Sequence, residues 1–207
     1  MKIKPLLLGA AMAGAFAAAH AVPTVTLGND PQPGQSILVR NPCGLDAGSG
    51  TGTPVLGCLN DNHAQTIQIS SDESLVITGG QASLDSTDGT FSQFMITPTA
   101  PAGLSTVIFN IDATADGFVT FTDASGTTGQ FELDNVGQNF FTLTGLTGSS
   151  LSVTTFNGQG QEADIIADVK QIRLGVVAAI PEPETYALMM AGLAAVGFLS
   201  RRRKKRG

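Results

Sequence analysis

From Ala64 onward, apolar and polar residues alternate in short runs, each closed by Gly, Asp, Asn or Ser at a spacing of roughly ten residues. The runs predict strands over Ala64–Ser70, Ser74–Thr78, Phe91–Thr97, Leu104–Ile111, Gly117–Asp123, Gly129–Leu133, Asn139–Thr144, Ser150–Phe156 and Asp164–Val176. Val107, Phe109 and Ile111 fall on one face while Ile108 and Asn110 fall on the other. Val119 and Phe121 alternate with Thr120 and Thr122, and Phe131 and Leu133 flank Glu132. A period of two marks a half-buried strand. The intervening turns, Asp116-Gly117 and Ser125-Gly126 among them, suit hairpins rather than the helical crossovers of a parallel sheet. The pattern predicts an all-β fold, an antiparallel β-sandwich resembling a jelly roll, in one domain.

Upstream, residues 22–63 are dense in turn formers, as in Gly28-Asn29-Asp30-Pro31 and Gly48-Ser49-Gly50-Thr51-Gly52-Thr53-Pro54. The expectation is a turn-rich segment, carrying Cys43 and Cys58, packed on a sandwich spanning 64–180. No internal repeat aligns over more than a few residues.

The two ends have a different character. Lys2 and Lys4 precede the apolar stretch Leu6–Ala19, and Ala19-His20-Ala21 has the small-x-small form of a signal cleavage site, so the mature chain is expected to begin at Val22. An apolar run of about fourteen residues is short for a bilayer core that needs roughly twenty. At the other end come Pro181-Glu182-Pro183-Glu184-Thr185, an apolar stretch from Tyr186 to Leu199, and the cations Arg201, Arg202, Arg203, Lys204, Lys205 and Arg206. The prolines hold the chain extended, the apolar stretch can only just enter a bilayer, and the cations are costly to translocate. A plain membrane anchor with positive-inside flanks is the alternative.

Pro181, Glu182 and Pro183, the short apolar helix and the arginine-rich end resemble the PEP-CTERM sorting signal of Gram-negative bacteria. The resemblance implies recognition by an exosortase, removal of the tail, and delivery to the surface in organisms that make exopolysaccharide and biofilm. It implies no biochemical activity. A weaker resemblance, to the closing strands of jelly-roll domains often found on such proteins, lies in Asn139–Gly145 and Asp168–Leu174.

Charge separates the segments further. Setting aside Lys2 and Lys4 of the leader, and Glu182, Glu184 and the six cations of the tail, the 11 basic and 17 acidic residues reduce to three basic and fifteen acidic. A domain near −12 argues against binding nucleic acid or anionic lipid through its own surface. In an exported chain Cys43 and Cys58 are expected to pair, closing a loop that contributes roughly 3 kcal/mol through the unfolded state. Two free thiols are the alternative, and zinc lacks ligands with only His63 nearby.

Catalytic residue types are scarce. His63 is the only histidine after the leader, and no Gly-x-Ser-x-Gly elbow is present. The chain has no Trp, and its one Tyr lies in the tail, which weakens sugar-stacking platforms. Paired carboxylates leave glycoside hydrolysis formally open. Calcium is the best cofactor candidate, with Asp112 and Asp116 across one turn and Asp85 with Asp88, although neither set matches an EF-hand.

The expected protein is exported by the secretion machinery and signal peptidase, held transiently at the inner membrane by its tail, and sorted to the surface or matrix by an exosortase. Its expected role is non-enzymatic, structural or adhesive. The alternative is a carbohydrate-binding module for exopolysaccharide.

Overall fold

A computed structural model describes residues 21–31, 36–39, 51–62, 64–78, 83–99, 102–178 and 189–194. Among these are fifteen strands: β1 Thr24–Leu27, β2 Ser36–Val39, β3 Thr51–Gly52, β4 Val55–Leu59 and β5 Thr66–Ser71. Next come β6 Leu75–Thr78, β7 Ser83–Ser86, β8 Gln93–Pro98, β9 Ala102–Ala113 and β10 Gly117–Asp123. The last are β11 Gly126–Thr127, β12 Phe131–Leu133, β13 Asn139–Thr144, β14 Leu151–Asn157 and β15 Ile166–Ala178. All pairings are antiparallel, and the strands form two layers of a sandwich with no closed barrel.

One layer runs β1-β13-β9-β15, with β7, β6 and β3 continuing beyond β15. The other runs β4-β5-β8-β14-β10, with β11 and β12 on β10. β2 joins them, pairing with β15 in the first layer and β4 in the second. The predicted alternation fills the space between. Val107, Phe109 and Ile111 of β9 meet Val119 and Phe121 of β10 and Phe94 and Ile96 of β8 in one continuous apolar core. Six phenylalanines form its centre: Phe91, Phe94, Phe109, Phe121, Phe131 and Phe141, linked by ring contacts at 5.2 to 6.3 Å. Edge-to-face geometry recurs among them, as the quadrupole of the ring favours.

The segment expected to be irregular supplies genuine sheet members. β1 pairs with β13 from Thr24↔Thr144 to Leu27↔Phe141, and β4 pairs with β5. Turn residues dominate the composition there, but runs as short as Thr24–Leu27 and Val55–Leu59 need only a neighbouring edge to join. Tertiary context outweighs local propensity in strands.

β9 also departs from the half-buried expectation. Ile108 and Asn110, on its outer face, are as buried as its core residues. The chain leaving β1 lies against this face: Asp30 N–H donates to Thr142 Oγ1 at 3.1 Å, Thr142 donates to Gly28 O at 2.8 Å, and Arg173 donates to Asn29 Oδ1 at 3.1 Å. Thr142 and Arg173 both flank Ile108 in register. One glycine is fixed by packing: a Cβ on Gly117, at the start of β10, would collide with the Phe156 carbonyl and the Ile165 side chain.

Candidate functional site

Strand register brings together a polar cluster on the outer face of the first layer. Asn110 and Asp112 of β9 stand opposite Lys170 and Asp168 of β15. Lys170 Nζ lies 2.6 Å from Asp112 Oδ2 and 2.8 Å from Asp168 Oδ2. These two hydrogen bonds hold the ammonium well above its ordinary pKa, whereas burial raises the Asp168 carboxyl despite Lys170 beside it. Asn110 Nδ2 donates to Asp112 Oδ1 at 3.3 Å. Just beyond Lys170 the ladder slips, and Gln171 takes a left-handed φ of 55° to accommodate the bulge. The lysine thus bridges two carboxylates that the register of β9 against β15 places side by side.

The outer face of the second layer is chemically distinct. Ser70, Met95, Ser152 and Thr122 form one row across β5, β8, β14 and β10, and Gln93, Thr154 and Thr120 form the next. Phe156 and Phe118 stand opposite each other in the row beyond. Ser70, Ser71, Gln93, Met95 and Ser152, with Asp72 at one side, line a shallow depression of about 240 Å³. These rows are the polar phase of the same alternation that builds the core, so their hydroxyls and amides were legible one strand at a time. Their alignment was not, because register is a property of pairs.

Carboxylates gather at the end of the sandwich formed by the turns after β5, β7, β9, β12 and β14. Glu73 is raised above its ordinary value, first by the charge of Asp88, then by burial and the charges of Asp72 and Asp164. The Ser92 hydroxyl lies 2.7 Å from Asp72 and 2.8 Å from Glu162. At the opposite end, Asp123 is a capping residue. Burial would raise it, but hydrogen bonds from Ser125 and Thr147 outweigh that effect and keep it below its ordinary value.

The residues singled out from sequence fare as follows. Asp112 is engaged with Lys170, while Asp116 accepts the Asn135 N–H at 3.0 Å. Asp85 stands opposite Asp168, and Asp88 is bonded to Ser86. Among the described residues no three His, Cys, Asp or Glu side chains are grouped to hold a metal. Cys58 is fully buried in β4 and is not a free thiol. Ala21 is exposed, just before β1. Ala19, Cys43, His63, Pro181, Glu182, Pro183 and residues 201–206 lie outside the described residues.

Within the tail, residues 189–194 are helical, and Met189, Met190 and Leu193 are 56%, 66% and 63% exposed. No helix among the described residues is long and apolar enough to cross a membrane. The family model described as the PEP-CTERM protein-sorting motif matches residues 179–204. The chain carries a PEP-CTERM sorting motif. This motif indicates export and exosortase-dependent sorting to the cell surface, with exosortase as the processing partner. The match begins one residue after β15 ends, so the PEP-CTERM motif abuts the sandwich almost directly. No curated protein and no solved structure matches the chain.

Proposed function

We propose that the sandwich is a non-enzymatic component of the cell surface or extracellular matrix, structural or adhesive in role and associated with exopolysaccharide. The observation that carries this reading is the outer face of the second layer. Its uncharged rows, Ser70–Met95–Ser152–Thr122 and Gln93–Thr154–Thr120, offer hydrogen-bonding groups without a positioned base or nucleophile. Hydroxyl and amide groups on strands suit broad, weak contacts with a hydrated polymer. Such contacts add up when many copies are displayed together.

A second reading, a carbohydrate-binding module with one defined saccharide site, is favoured by the depression beside Met95. A glycan array probed with the fragment 22–180 separates the two. Weak binding spread over many acidic and neutral polysaccharides fits the matrix role. Saturable binding to one class that is lost in Gln93→Ala selects the module, and turnover of any glycan overturns both.

Before processing, the tail is proposed to hold the chain at the inner membrane, with residues 201–206 on the cytoplasmic side. We also propose that Cys43 and Cys58 pair. In oxidised mature protein, thiol labelling under denaturing, non-reducing conditions should then find no free cysteine. Cys58→Ser should lower stability by about 2–4 kcal/mol in denaturant titration. Stoichiometric labelling of two thiols would end the idea.

A further inference from the structure

The strand directions place both ends of the domain on the same side. β15 runs toward Ala178, β9 runs back from Ala102, β13 returns toward Thr144, and β1 starts at Thr24. Thr24 pairs with Thr144, Thr144 with Thr106, and Thr106 with Gly175, so one row crosses the sheet from the first strand to the last. The domain's first and last residues therefore leave the same edge, three strand spacings apart, or roughly 14 Å. The turns joining β4 to β5, β8 to β9, β10 to β11 and β13 to β14 share that end.

The carboxylates take the other. Asp72, Glu73, Asp88, Asp116, Asp134 and Asp164 all sit in or beside turns opposite the two ends of the domain. Among the described residues of the near turns are Asp61 and the capped Asp123.

We propose that this near end is the surface apposed to the lipid bilayer, and that the acidic end projects outward. The inference rests on the reading that the apolar tail enters the membrane. Only residues 179–185 separate Ala178 from the apolar stretch beginning at Tyr186, and seven residues span at most about 25 Å in any conformation. β15, with 13 residues, carries the chain roughly 40 Å from one end of the sandwich to the other. Reversing the domain would require the tail to run back along that length, which seven residues cannot do. Charge acts in the same direction, because an anionic bilayer surface repels carboxylates within about a Debye length, or roughly 10 Å, and little beyond it.

The test uses the exported chain with its tail intact, reconstituted into vesicles of phosphatidylethanolamine and phosphatidylglycerol. A donor fluorophore is attached through a non-natural amino acid replacing either Ser149, exposed at the near end, or Val136, 79% exposed at the far end. Energy transfer to acceptor-labelled headgroups should be at least twofold stronger from position 149 than from position 136. Vesicles that carry the protein but show equal transfer from both positions, or stronger transfer from 136, would overturn the orientation while leaving tail insertion standing. Failure of the protein to float with the vesicles would overturn tail insertion and the orientation with it.

Discussion

Replacing Pro181 and Pro183 together by alanine is expected to leave export intact and to abolish processing, so that nearly all of the chain accumulates with its tail attached. The change leaves residues 1–21 untouched, and export is expected to depend on those residues. What changes is the chain between β15 and the apolar stretch. Two prolines fix φ and disfavour helix, and the expected result is an extended segment of the kind that an enzyme cleaving a peptide bond must receive. With alanine at both positions the apolar helix can propagate back toward Ala178 and withdraw the backbone from the enzyme. Deleting Arg201–Arg206 should have a different result: export continues, but the short apolar stretch is no longer halted, and unprocessed chain appears outside the inner membrane. Mass spectrometry of the surface fraction distinguishes these outcomes. Wild-type surface protein should end near Pro183, and peptides covering Tyr186–Arg201 recovered from that fraction would mean that no cleavage occurs.

The sorting motif was fully legible in the sequence because each of its parts acts through composition: two prolines, a length of apolar residues, a run of cations. The sandwich was legible for a related reason. Gly117–Asp123 and Asn139–Thr144 match their predicted bounds because the alternation there is unbroken and the turns beside them are strong. β1 and β4 escaped notice because a strand of four or five residues among prolines and glycines has too few periods to register. β7, Ser83–Ser86, is polar at most positions and joins the sheet through pairing with β6 and β15 rather than through a pattern of its own. Juxtapositions were hidden altogether. That Lys170 would sit between Asp112 and Asp168 depends on the register of β9 against β15, and a bulge beside Lys170 shifts that register in a way no local reading supplies. Asp112 and Asp116 lie across one turn in the sequence, and register adds what the sequence does not show: Lys170 beside Asp112 and the Asn135 N–H on Asp116.

The stability of the domain should depend strongly on the ring of Phe109. Phe109 is fully buried at the middle of β9, and its ring meets Phe94 at 5.7 Å, Phe121 at 6.0 Å and Phe141 at 6.2 Å. Phe94 and Phe121 belong to the facing layer and Phe141 to its own, so this side chain joins the two sheets. Phe109→Ala removes that contact and leaves a cavity enclosed by rigid strands on both sides, which cannot collapse without shifting β9 against two neighbours. The expected loss is about 3–5 kcal/mol, at the upper part of the range for a buried aromatic. A domain of this size has only about 5–15 kcal/mol in total, so the variant should be partly unfolded well below the wild-type transition. Phe118→Ala is the matched control, since Phe118 lies on the outer face of β10 opposite Phe156 and is only partly buried. It should cost about 1 kcal/mol, the scale of one cross-strand side-chain pair. Urea denaturation of both variants of the fragment 22–180 measures the difference. Equal losses would show that the centre of the sandwich relaxes around the missing ring, and that the two layers are held together by the periphery of the core rather than by its aromatic centre.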